Sequence, residues 1–262
     1  MNLLRLQLQE ENRGPIFFGA IRLGRKNEAY KKKLELKWGA PDYKIYPSSL
    51  KSWTTCPVEF MKSLENPTTI EDITAIYRVK RGSSVHKEFQ TDALISDILY
   101  DKPIAELSAR IFKKLKDGYP EIPFHDLKTG VSGSIDAVIR LKDLPTPVEI
   151  KSTSKAPEEW EDYCEKKLPL DTHLLQLLSY IYHINKNNYY PKQAERGILA
   201  YVNLLMSPGD LKAEKEYIIQ YSDYKEKFEV FMFHLTKARD NYIQGKVEPC
   251  DSPLCRKHKN GK

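Results

Sequence analysis

The chain has 262 residues, 40% hydrophobic and 30% charged, with a formal net charge of +6 and a sequence pI near 8.9. These proportions are those of a folded globular chain, and no stretch approaches the roughly 18 consecutive apolar residues of a membrane-spanning helix. Four cysteines are too few for a disulfide scaffold, and the surplus of Lys and Arg permits a polyanionic partner.

The first residues, MNLLRLQLQEENRG, carry charged and polar groups where a secretory signal needs an apolar run, so the protein is read as cytoplasmic. Residues 1–45 read as a basic N-terminal extension, with Arg22, Arg25, Lys26, Lys31, Lys32, Lys33 and Lys37 clustered. The run from Pro47 to Trp53 predicts a cap at Ser48 or Ser49 followed by a short helix. Further helices are predicted over 69–77, 82–100 and 105–116, the second from Val85, Phe89, Leu94, Ile95, Ile98 and Leu99 at roughly helical spacing.

From Phe124 the texture changes to strands. Segments 131–140 and 148–152 are short and rich in β-branched residues, and Asp143-Leu144-Pro145-Thr146-Pro147 predicts the turn between them. Asp171 or Thr172 then opens a helix to about 185. Strands follow over 196–205 and 216–221, and a last helix from Ser222 or Asp223 to Gln244 is stopped by Gly245. The order predicts an α/β fold with one mixed central β-sheet flanked by helices: a domain over 46–245 and a Cys-containing basic tail over 246–262.

Two strands carry charge where an ordinary buried strand would not. Asp136 sits inside Ile135-Asp136-Ala137-Val138-Ile139, and thirteen residues later comes Glu149-Ile150-Lys151. Strand alternation turns Glu149 and Lys151 to one face and Val148 and Ile150 to the other. In a hairpin Asp136 comes near Glu149, and two clustered carboxylates repel and are costly to bury. A hard divalent cation such as Mg²⁺ resolves that conflict with oxygen ligands, and a neighbouring lysine can orient water or stabilise charge on a phosphate. The alternative is a surface hairpin with a cross-strand ion pair.

The pattern D-x12-E-I-K resembles the signature of the PD-(D/E)XK nuclease superfamily. Upstream, Gly82-Ser83-Ser84-Val85-His86 resembles the G-x-x-x-H element of its RecB-like exonuclease branch. Downstream, the helix beginning Asp171-Thr172-His173 carries Gln176 and Tyr180 and resembles the family's Q-x-x-x-Y helix. His173, Gln176 and Tyr180 share one face of that helix, opposite much of its leucine-rich surface. The four elements stand in the family's order over residues 82–180. The resemblance implies a restriction-endonuclease-like sheet and Mg²⁺- or Mn²⁺-dependent cleavage of DNA phosphodiesters. It further implies that His86, Asp136, Glu149 and the Ile150 carbonyl bind metal, that Lys151 activates water, and that Gln176 and Tyr180 support the site.

The segment from Ser49 to Phe60, with Cys56-Pro57 at its centre, resembles one found in CRISPR-adaptation nucleases and in the helicase-linked nuclease domains of bacterial recombination. There, one early cysteine joins three near the C-terminus around a [4Fe–4S] cluster. This chain departs from the pattern, offering Cys250, Cys255 and then His258. Three readings stand: an Fe–S or Zn²⁺ site on Cys56, Cys250, Cys255 and His258; recruitment of Cys164 as the fourth ligand; or free thiols.

No part of the sequence reads as a base-recognition module, which favours an exonuclease. The aromatic residues Tyr43, Tyr46, Trp53 and Trp160 are candidates for stacking on single-stranded bases. A helicase, integrase or recombinase partner is compatible with the sequence, as is a catalytically silent DNA-binding or recombination-partner protein of the same fold.

Overall fold

The computed structural model describes residues 43–65, 84, 87–89, 122–207 and 210–246. The chain enters through a 3₁₀ turn, Pro47–Ser49, and two short helices, α1 (Leu50–Thr55) and α2 (Pro57–Glu65). Ser49 stands at the N-cap of α1, but its hydroxyl donates back to the Tyr46 carbonyl at 2.7 Å, because the 3₁₀ turn has already begun the winding. Cys56 breaks the helix in an extended conformation, and Pro57, which has no N–H to satisfy, starts the next. The expected helices over 69–77 and 105–116 lie outside the described residues, as does most of the one over 82–100, of which Ser84 and 87–89 are helical.

Among the described residues six strands follow: β1 (Ile122–His125), β2 (Ser132–Ile135), β3 (Ala137–Leu141), β4 (Leu144–Thr153), β5 (Arg196–Asn203) and β6 (Glu214–Gln220). Between β4 and β5 run α3 (Pro157–Lys167) and α4 (Asp171–Lys186), and α5 (Lys225–Ile243) closes the described chain. The architecture is mixed α/β. Its central sheet has the order β3-β4-β5-β6, in which only the β4–β5 pair is parallel, and helices flank it. The parallel pair requires a crossover, and α3 and α4 supply it. Strands β1 and β2 form a separate antiparallel hairpin. Ile45 is fully buried beside it, bridging Val131 and exchanging backbone hydrogen bonds with Gly130 and Ser132.

Three local expectations change. The strand expected over 131–140 is two strands broken by one residue, Asp136, where the chain passes from the hairpin into the sheet. The turn expected over 143–147 is tighter: Lys142 and Asp143, at φ 51° and 59°, make the reversal, and Pro145 and Pro147 lie in β4. Two successive left-handed residues match the twist of a two-residue hairpin. Both prolines are tolerated because β4 pairs with β5 only from Val148 onward, so their half of the strand has β3 alone as a neighbour. The third change is α3, which the sequence reading passed over. Pro157 opens it, Glu158 and Glu159 fill its first turn and Lys166 and Lys167 its last, as the helix dipole favours.

The main core lies between the sheet and α4. Leu177, Ile181 and Ile184 are buried there with Leu199, Phe124 and Trp160. Helix and sheet approach so closely that a Cβ on Gly197 would meet Leu177 Cδ1 at 2.7 Å. The other sheet face carries a smaller cluster of Ala137, Val148, Ile150 and Ile198, against which Phe89 packs. No helix among the described residues is long and apolar enough to cross a membrane.

Candidate active site

The alternation of β4 sorts its side chains as the sequence implies. Val148 and Ile150 join the cluster under Phe89. Glu149 and Lys151 turn to the opposite face, toward α4, where Glu149 pairs in register with Leu199 and Lys151 with Tyr201. One step beyond the last β3–β4 pair, Ala137 with Val148, Asp136 comes opposite Glu149. Its Oδ2 accepts the Ile150 N–H at 2.8 Å. N–H and C=O of one strand residue point to the same side, so the Ile150 carbonyl also faces the edge that Asp136 occupies.

Burial excludes the surface-hairpin alternative. Glu149 is 1% exposed and Asp136 9%. The ion pair runs along one strand, from Lys151 Nζ to Glu149 Oε1. Lys151 and the Tyr180 hydroxyl lie against the Glu149 carboxylate. Burial, and then the charge of Asp136, push the Glu149 carboxyl up to about 7 against the opposing pull of Lys151 and Tyr180.

Helix α4 forms the roof. The polar stripe read from the sequence faces inward. Gln176 Nε2 donates to the Tyr180 hydroxyl at 2.7 Å, and Tyr180 is buried, with its edge on Phe124. Burial, then Glu149 and Asp136, hold the Tyr180 hydroxyl protonated far above the ordinary phenol range. At the start of the helix His173 Nδ1 lies 2.9 Å from the Tyr201 hydroxyl, which also accepts the Leu170 N–H at 3.3 Å. The structure therefore brings Asp136, Glu149, Lys151, Gln176 and Tyr180 to one place.

Tyr201 and Asn203 were missed by the sequence reading. Both lie on β5, and Tyr201 is the register partner of Lys151. Asn203, 1% exposed, accepts the Lys155 N–H and donates to the Lys155 carbonyl, fixing the chain just after β4. The only sequence signal for either was alternation within Arg196–Asn203, which gives no register against β4.

His86 lies outside the described residues; Phe89, three positions on, packs behind Ile150. Cys250, Cys255 and His258 also lie outside them, as do the clustered basic residues of both ends. Cys56 is half-buried, its sulfur accepting the Glu59 N–H at 3.5 Å. Cys164 is buried in the main core, where burial pushes its thiol pKa up. Among the described residues no three His, Cys, Asp or Glu side chains gather as a metal-binding group. Of the aromatic stacking candidates, Trp160 is corrected to a core residue, 2% exposed, its indole N–H bonded to the Lys212 carbonyl at 2.6 Å. Trp53 packs edge-on against Phe231, whereas Tyr46 is 54% exposed.

No protein-family model matches the chain, and no curated protein sequence matches it. Among solved structures it is similar to an alkaline exonuclease (LHK-Exo) from Laribacter hongkongensis, with a TM-score of 0.37 and 11% identity over 81% of this chain and 97% of that one. Against the same exonuclease in complex with dAMP the TM-score is 0.40 and the identity 10%, over 79% and 94% of the two chains. The alignments are long but shallow, and the chemistry of this site rests on its own residues.

Proposed function

We propose that the chain is a Mg²⁺- or Mn²⁺-dependent deoxyribonuclease of the RecB-like PD-(D/E)XK type, an exonuclease hydrolysing DNA phosphodiesters in processing, repair or recombination. The observation that carries this reading is the Glu149 carboxylate: nearly fully buried, beside a second buried carboxylate, with Lys151 ion-paired to it along the same strand. Two carboxylates buried side by side repel each other and are costly to desolvate even with Lys151 against Glu149 Oε1, so the arrangement is kept for a role other than stability.

The donor set suits a hard divalent cation, since Asp136 and Glu149 offer carboxylate oxygens and Ile150 a carbonyl on the same edge, with His86 as a further ligand. A cation bound there would supply Lewis-acid stabilisation of charge on the phosphate. Lys151 holds a fixed positive charge at the same point, where it orients the attacking water and stabilises the developing charge. Tyr180 lies against Glu149, and Gln176 anchors the Tyr180 hydroxyl from the adjacent turn. The Asn203 clamp on Lys155 steadies the strand end that presents Lys151.

The test is to incubate the purified chain with end-labelled single- and double-stranded DNA in Mg²⁺, Mn²⁺ or EDTA. Metal-dependent cleavage with a ladder of mononucleotide steps is the expected result. Binding without cleavage under every metal contradicts this reading and leaves the silent DNA-binding protein.

A further inference from the structure

Resting on the nuclease reading, the geometry points to His173 as a phosphate-binding residue of the site, which presents its Nε2–H as a neutral donor to a backbone phosphate oxygen of the bound strand beside Lys151.

Tyr201 is buried, and its oxygen already accepts the Leu170 N–H at 3.3 Å. Burial pushes the phenol up to about 12, so it keeps its proton at working pH. That proton needs an acceptor, and among the described residues the one within reach is His173 Nδ1 at 2.9 Å. Nδ1 therefore accepts, and the imidazole carries its proton on Nε2, on the side of the ring away from Tyr201. The backbone N–H of the residue before α4 thus sets the histidine tautomer through a tyrosine.

Position gives that donor its use. Tyr201 stands beside Lys151 in the parallel register, and His173 is on the roof helix three residues before Gln176 and seven before Tyr180. Exposure rises along this stripe, from buried Tyr180 to half-buried Gln176 and His173, and Lys151 beneath it is 23% exposed against 1% for Glu149. The site deepens toward Glu149 and opens toward His173, so a strand that reaches Lys151 passes His173. Burial, then the Lys151 charge, pull the imidazole down to about 4, so it acts as an uncharged donor. Such a donor adds direction to phosphate recognition where Lys151 supplies charge.

The test uses the full chain and a short single-stranded oligothymidylate in EDTA, with ¹⁵N imidazole spectra and binding measured together. At neutral pH His173 should show the Nε2-protonated tautomer, and the oligonucleotide should shift its resonances. His173→Phe should weaken binding about tenfold, and His173→Gln, which keeps an N–H donor at the same reach, should restore most of it. An Nδ1-protonated ring overturns the inference, and so does wild-type affinity in His173→Phe. If His173 behaves as expected but Mg²⁺ and Mn²⁺ give no cleavage, the nuclease reading fails and the phosphate contact stands. Cleavage and binding that ignore His173→Phe do the reverse.

Discussion

Glu149 couples function to stability through one proton. In the folded protein its carboxyl titrates at about 7, raised by burial and by Asp136, whereas in an unfolded chain it titrates near the ordinary value of roughly 4.3. Between those values the folded state holds a proton that the unfolded state has lost, so this group's contribution to stability falls as pH rises, down to a floor above 7. Glu149→Gln removes that dependence. Its stability relative to wild type is expected to grow from pH 5 to pH 8 by about 1–3 kcal/mol, read by urea unfolding at both pH values in EDTA. A constant difference would mean that Glu149 ionises normally. The same proton must leave before a cation binds, so Mn²⁺ affinity is expected to drop as pH falls below 7. Calorimetry at pH 6.5 in two buffers of different ionisation enthalpy should show proton release, and its absence would count against Glu149 as a ligand.

At the scale of elements, the β1–β2 hairpin is tied to α4 by a buried polar cluster. Asp126 Oδ2 lies 3.0 Å from Lys186 Nζ and 3.3 Å from His183 Nδ1, while Oδ1 accepts the Lys128 and Thr129 N–H groups. Burial alone would raise the Asp126 pKa, but the His183 ring and the Lys186 ammonium beside Oδ2 outweigh it and hold the carboxyl well below the usual range. Its contribution is complete above the ordinary carboxylate pKa and is lost as pH falls below it. Asp126→Ala should cost about 2–4 kcal/mol in urea unfolding at pH 7, because it leaves partners unpaired and unties the hairpin loop. A cost below about 0.5 kcal/mol would show that the hairpin docks without the cluster. The contact of α4 with β5 is as specific. Gly197→Ala places a methyl where Leu177 Cδ1, Cγ and Cδ2 all lie within 3.0 Å, and about 1–3 kcal/mol of destabilisation is expected from thermal melts.

At the scale of the molecule, the sequence was most legible where a local period carried the information. Alternation placed Glu149 and Lys151 on one face, and helical spacing placed His173, Gln176 and Tyr180 on another; the structure turns these faces toward each other. Tyr201 and Asn203 were invisible because a parallel register across a two-helix crossover leaves no trace in either strand. Helix α3 has mean polarity high enough to resemble a loop, although Pro157 and the acidic first turn were available as start signals. Pro145 and Pro147 misled because proline usually breaks strands, and only tertiary pairing reveals that β4 lacks its β5 neighbour there.

The most direct test of the central claim is single-turnover cleavage of an end-labelled single strand in Mg²⁺ by wild type and Lys151→Ala, at DNA concentrations that give equal occupancy. Loss of at least about a hundredfold in rate with binding retained is predicted, because Lys151 supplies charge at the reacting phosphate. Equal rates in the two proteins would contradict the account and place the chemistry elsewhere in the chain.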